Sequence, residues 1–230
     1  MSTELTIPTR FRGPARSGNG GWTAGALAAL VPGDPRTVEV TLRQPPPLEV
    51  AMDVRTADGE TVLSFGGSAI AQARVVETEL VPVEGVDVGT AEQAMAGYAG
   101  LRRHPFPECF ACGTDRASGD GLRIFPGPVG ADTVASLWVP DEATVPVTWA
   151  ALDCVGGWSE DLEGRPMVLG RMTCSVDALP EVGETHVVVG RRLRAEGRKT
   201  FTASTLYDGD GRVVATAAHV WVQVDPSLFN

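Results

Sequence analysis

Asn19-Gly20-Gly21 and, far along the chain, Asp153 are the residues whose types and settings suit chemistry. Asn19 is a good N-cap for a helix running on through Trp22-Thr23-Ala24-Gly25-Ala26-Leu27-Ala28-Ala29-Leu30. The two glycines put almost no side-chain bulk in front of the first N–H groups, so a ligand atom can approach the backbone. A helix N-terminus has unpaired donors and partial positive charge. It therefore suits a carbonyl oxygen that gains negative charge. Asp153 sits inside the apolar run Trp149-Ala150-Ala151-Leu152-Asp153-Cys154-Val155-Gly156-Gly157-Trp158, which reads as a second helix. Burial there would raise its pKa and fit it to act as a general base on water, or as a nucleophile. Each feature also has a plainer reading, a capped glycine turn for one and an acid on a helix surface for the other. Together, a donor trap and a carboxylate suggest acyl chemistry. Trp22 follows the glycines and could wall an acyl pocket, whose depth would depend on how Trp149, Met172 and Trp158 pack.

The cysteines give a weaker signal. Cys109 and Cys112 form one C-x-x-C, with His104 as the nearest third candidate. A closed zinc site needs four ligands, so no metal is expected there. Cys154 and Cys174 stand apart in apolar surroundings and read as buried thiols.

Composition bounds the rest. The chain has 230 residues, of which 43% are hydrophobic, enough for one large core or two small ones. A net charge of −10 and the lack of a Lys/Arg stripe argue against a nucleic-acid partner. The most basic stretch, Arg191-Arg192-Leu193-Arg194 followed by Arg198-Lys199, reads as the solvent face of a strand pair or as a patch for a ligand phosphate such as that of coenzyme A. No apolar run is long enough for a membrane span. The polar segment Met1 to Phe11 has no apolar signal core, so a cytoplasmic location is expected.

These residues must be positioned by elements that occur twice. After the first helix, Pro32-Gly33-Asp34-Pro35 is a stop, and Thr37 to Leu42 alternates as a strand. Pro45-Pro46-Pro47 interrupts, and Val50 to Arg55 is a second strand. Asp58-Gly59 marks a hairpin, and Thr61 to Phe65 with Ser68 to Val76 completes a meander. The second helix, expected near Val147–Asp161, precedes the same order: Met167 to Val176, Thr185 to Leu193, Lys199 to Tyr207 and Arg212 to Val224. Pro46 falls in step with Pro180, Gly59 with Gly197, and Ala71-Gln72-Ala73 with Ala215-Thr216-Ala217. Between the copies, Thr90 to Leu101 reads as a helix and Arg102 to Asp120 as an ordered linker. Gly121 to Phe125 and Thr133 to Val139 read as strands, with only Thr6 to Phe11 in that place in the first copy. The fold class is α+β. The expected units are 1–80, a linker 81–120, and 121–226, each a long helix wrapped by a curved antiparallel sheet and paired edge to edge.

Helix-plus-meander in tandem resembles a double hotdog protein of the acyl-CoA thioesterase superfamily. The resemblance runs from about Phe11 to Val224. Phe11-Arg12-Gly13-Pro14 to Asn19-Gly20-Gly21-Trp22 resembles the opening of the N-terminal unit, where a glycine pair receives the thioester carbonyl. Cys109-Phe110-Ala111-Cys112-Gly113, then Gly121-Leu122-Arg123-Ile124, resembles the C-F-x-C-G and G-L of single-hotdog thioesterases, and Leu152-Asp153 resembles their helix acid. The resemblance implies that His219 or Thr173 assists the acid or positions water. It implies no cofactor beyond the coenzyme A of the substrate, a thioester as small-molecule partner, and leaves open a homo-oligomer of the double unit. The chain departs from the pattern in having Asn19 where a histidine is common. Val145-Pro146-Val147 stands where the first copy has its glycines, and Leu27 roughly where the second has Asp153. One complete site between the copies follows, with Asn19–Gly21 facing Asp153.

The reaction implied is hydrolysis of an acyl-CoA. Water attacks the carbonyl, Asp153 takes its proton, the Gly20 and Gly21 N–H groups hold the oxyanion, and sulfur leaves as thiolate. The alternatives are a non-catalytic acyl- or CoA-binding module and a hotdog hydratase or dehydratase. The last uses a D-x-N-x-x-H pattern that Ser118-Gly119-Asp120 begins and Gly121-Leu122-Arg123 does not continue.

Overall fold

The computed structural model describes residues 3–228. Met1 and Ser2, part of the expected first unit, lie outside the described residues. The first half runs β1 (Thr3–Leu5), α1 (Gly20–Ala28), β2 (Thr37–Leu42), β3 (Met52–Ala57), β4 (Glu60–Phe65) and β5 (Ser68–Val75). A connecting region holds α2 (Val88–Met95) and the two-residue β6 (Gly127–Pro128). The second half runs β7 (Thr133–Trp138), α3 (Val145–Trp158), β8 (Met167–Val176), β9 (His186–Glu196), β10 (Lys199–Tyr207) and β11 (Val213–Gln223).

Among the described residues, the strands form a single 11-stranded antiparallel sheet in the order β1-β3-β4-β5-β2-β8-β11-β10-β9-β7-β6. Read outward from the β2/β8 seam, the two halves have one order: the post-helix strand, then the meander backwards, then the pre-helix strand. The seam pairs Glu39 with Thr173 and Val40 with Met172. Asp58 and Gly59 take φ of 52° and 80°, the left-handed pair that a tight hairpin between twisted strands requires.

Three expected elements differ. Gly121 to Phe125 is not a strand. Arg123 turns left-handed at φ 52°, and the segment bonds to the cysteine-bearing linker instead, Leu122 N–H to Phe110 O at 2.8 Å and Ile124 N–H to Ala111 O at 3.0 Å. The helix expected over Thr90 to Leu101 ends at Met95, and a separate 3-10 turn covers Ala99–Leu101. The strand expected over Thr6 to Phe11 lies earlier, at Thr3–Leu5. Pro8 cannot donate to a ladder, and Thr9–Phe11 forms a 3-10 turn.

Both long helices are buried almost all round, as apolar helices without a polar face must be. They cross antiparallel, and glycine sets how closely. A Cβ at Gly21 would lie 2.8 Å from Trp149 O, and one at Gly25 2.7 Å from Trp149 Cβ, so α3 occupies the space that α1 leaves empty. Among the described residues, no helix is long and apolar enough to cross a membrane.

Candidate active site

The start of α1 meets the middle of α3. Asn19 caps α1, its Oδ1 accepting the Trp22 N–H at 2.8 Å. The Gly21 N–H donates to Asp153 Oδ2 at 2.8 Å, and Asn19 Nδ2 donates to the same oxygen at 3.2 Å. Asp153 is 2% exposed, and its Oδ1 is buried without a hydrogen-bond partner among the described residues. Burial raises the pKa of Asp153 to about 7, against the pull of the Gly21 and Asn19 donors.

A cavity of about 270 Å³ opens beside this pair. Asn19, Gly20 and Asp153 contribute its polar wall, Leu169, Trp158 and Trp221 its apolar one, and Arg43 to Pro46 its rim. Gly20 opens α1, so its N–H has no acceptor within the helix, and Gly20 is one of the residues lining the cavity. A carboxyl close to neutral ionisation, a helix-start donor and an apolar chamber together suit proton transfer beside a polarised carbonyl.

The structure brings Asn19, Gly20, Gly21 and Asp153 together, and changes what Gly21 can do. Its N–H is already engaged by the carboxylate, so it is not a vacant oxyanion donor. Its missing side chain makes room for α3 rather than for a ligand. The other expected residues lie elsewhere. Thr173 hydrogen-bonds across the seam to Glu39 Oε2 at 3.4 Å. His219 is buried under Gly156 with Nδ1 3.1 Å from Thr202 Oγ1, and burial lowers its pKa to about 4, leaving a neutral ring. Trp22 stacks on Phe11 with centroids 4.3 Å apart, Trp149 fills the helix crossing, and Met172 is buried beneath the seam. None of these five borders the cavity. The lining also includes Leu169 and Trp221, from β8 and β11, which no short-range pattern in the sequence sets apart. Trp221 shares a strand face with His219 by the two-residue period, the one signal pointing toward it.

Cys154 is not isolated. Its Sγ lies 3.6 Å from Cys109 Sγ, and Cys109, Cys112 and Cys154 have sulfurs within 4.8 Å of one another. Hydrogen bonding from Cys112, and then from Cys154, pulls the Cys109 thiol well below its ordinary range, while Cys112 and Cys154 are pushed up. Cys174, on β8, is outside this group and is a buried thiol.

No protein-family model and no curated protein matches the sequence. Solved structures do match in shape. A conserved protein of unknown function with a hot dog fold from Alicyclobacillus acidocaldarius is 13% identical with a TM-score of 0.64, over 98% of this chain and 94% of its own. An acyl-CoA thioesterase II, TesB2, from Mycobacterium marinum is 11% identical at TM-score 0.59, over 98% and 94%. An N-terminal dehydratase from the difficidin assembly line is 11% identical at TM-score 0.65, over 99% and 94%. The shared feature is the hotdog fold, which has neighbours of both chemistries.

Proposed function

We propose that the protein hydrolyses an acyl thioester, with coenzyme A as the leaving group, at the single site between α1 and α3. In this reading the chain is a tandem hotdog, with units over 1–80 and 121–226 and the linker 81–120 between them. The observation that carries the reading is Asp153: a buried carboxyl whose Oδ1 has no partner among the described residues, beside a helix start and an apolar cavity. A water on Oδ1 loses its proton to Asp153 as it attacks the thioester carbon. The Gly20 N–H and the positive end of α1 stabilise the oxyanion, a kind of contribution worth about 3 kcal/mol per donor. The tetrahedral intermediate then expels sulfur as thiolate, which needs little acid assistance. Gly21 and Asn19 orient the carboxylate.

Two features favour hydrolysis over hydration or dehydration, which needs a second acid–base group. His104 is the histidine at the cavity, and both its nitrogens are engaged, Nδ1 accepting from Phe106 N–H at 3.0 Å and Nε2 lying 3.2 Å from Cys112 O. His219 is sealed beneath α3. The test is release of free thiol from a panel of acyl-CoA substrates of varied chain. Release by the wild type and its absence in Asp153→Asn supports the reading. Tight binding without release points to the acyl-binding module.

A further inference from the structure

Cys109, Cys112 and Cys154 come from two separate elements, the linker and α3, and converge beside the cavity. A tetrahedral zinc with Zn–S bonds near 2.3 Å holds its sulfurs about 3.8 Å apart. The Cys109–Cys154 separation is 3.6 Å, and all three sulfurs fall within 4.8 Å of one another. The local backbone is shaped for this. The C-x-x-C closes a tight turn in which Gly113 N–H bonds to Cys109 O at 2.8 Å, and a Cβ on Gly113 would lie 2.6 Å from Cys109 N. The short turn presents both sulfurs to one side, where Cys154 meets them.

The surroundings match metal-bound thiolates better than neutral thiols. Asn19 Nδ2 points at two of the sulfurs, 3.7 Å from Cys109 Sγ and 4.0 Å from Cys154 Sγ. Trp158 lines the same cavity as the three cysteines, and its buried Nε1–H has no hydrogen-bond partner among the described residues. N–H groups aimed at sulfur are what a thiolate-bound cation recruits around it. Three soft ligands select a soft d10 cation.

We propose that Cys109, Cys112 and Cys154 form a three-thiolate site for a thiophilic d10 cation, zinc in the first instance, whose fourth position faces the cavity. The expectation of no metal rested on a shortage of ligands, and Cys154 is the ligand that the linear spacing hid. Binding replaces three S–H protons with one dication, so the protons go to solvent and the site carries one net negative charge. The Asn19 and Trp158 donors offset that charge. The cation pins the linker to α3 one residue from Asp153. The proposal does not depend on the hydrolase reading, since the cation needs no substrate.

The test uses the full chain, stripped with a chelator under a phosphine reductant and titrated with cobalt(II). The wild type is expected to bind one equivalent, with sulfur-to-cobalt charge-transfer absorption and the intense visible bands of a tetrahedral site, all erased by zinc. Cys154→Ser lowers the charge-transfer intensity, since only two of the three thiolates remain, and Cys174→Ser keeps it. Asn19→Ala binds about 10–100-fold more weakly, as loss of a ligand-orienting donor typically does. Absence of these bands in folded wild type overturns the proposal, as does equal intensity in Cys154→Ser. Finding Cys109 and Cys154 oxidised to a disulfide in protein purified anaerobically also overturns it.

Discussion

The two ends of the α1/α3 pair are built alike and differ in chemistry. Each end joins the start of one helix to the later part of the other, over the same sheet seam. At one end Asn19 caps α1 and Asp153 of α3 faces it. At the other, Thr144 caps α3, its Oγ1 accepting from Val147 N–H at 3.4 Å. Counting from the caps, Asp153 is the ninth residue past Thr144, and the ninth past Asn19 is Ala28. Ala28, rather than Leu27, is thus the counterpart of the acid. Gly21, the second residue past its cap, corresponds to Pro146, which has no N–H to give. A cavity exists here too, about 440 Å³, bordered by Ala28, Val38, Val145, Trp149 and Val176. Space therefore does not distinguish the ends. The second cavity also has Asp34 and Arg36 in its lining, both exposed, so what distinguishes the ends is a buried acid held by a backbone N–H at the helix crossing.

The largest expected effect tests that distinction. Asp153→Asn is expected to lower thioester turnover by about 10²–10⁴-fold, the range of a general base, while keeping the fold. Adding Ala28→Asp to that variant does not restore turnover, because Pro146 leaves no N–H to orient the new acid. Steady-state thiol release on the single and double variants checks both.

Next comes packing. Gly21→Val drives a branched side chain into Asp153 and the Trp149 carbonyl, and is expected to destabilise by about 1–3 kcal/mol or more. At the other end Pro146→Ala inserts nothing and should move the thermal midpoint far less. Thermal unfolding of the pair reads the difference. Equal shifts would mean that α1 and α3 are not held together at Gly21.

The caps give a finer comparison. Asn19→Ala and Thr144→Ala each remove an N-cap, at about 1 kcal/mol apiece. Only Asn19→Ala also takes a donor from Asp153, so only it should move the pH profile of turnover, to higher pH.

Titration supplies a further check, on chelator-treated protein. Asp153 is raised from 3.8 to about 7, so the fold prefers its protonated form. That contribution to stability is complete below the unfolded value and is lost as pH climbs through about 7. The thermal midpoint of Asp153→Asn, relative to wild type, should accordingly rise between about pH 4 and pH 8. Turnover should rise over the upper part of the same window, as the base ionises. The smallest effects belong to Thr173→Val and His219→Gln, whose side chains do not border the cavity. Both are expected to leave the Michaelis constant within about twofold, since neither side chain would touch bound substrate, whatever the cost to stability of changing a buried residue.

How much of this was legible in the sequence follows from how local each signal is. The caps, the glycine pair and the alternating strands are short-range patterns, and the order of breaks places the strands along the chain. Thr37–Leu42, Met167–Val176 and Lys199–Tyr207 lie where their alternation places them. Asp153 stood out as an acid in an apolar run. The reason for Gly21 was not legible, because a glycine that admits a ligand and one that admits a neighbouring helix look the same in sequence. The thiol cluster was hidden too. Cys109 and Cys154 are 45 residues apart and meet only in three dimensions. That Thr173 and His219 do not border the cavity is not legible either, because a strand's period gives its faces but not which face a cavity reaches.

The most direct measurement is a crystal structure of Asp153→Asn soaked with an intact acyl-CoA. The account predicts the acyl chain against Leu169, Trp158 and Trp221, with the thioester oxygen on the Gly20 N–H and the Ala28–Pro146 end empty. An acyl chain lodged at the Ala28–Pro146 end, with the Asn19–Asp153 end vacant, would contradict it.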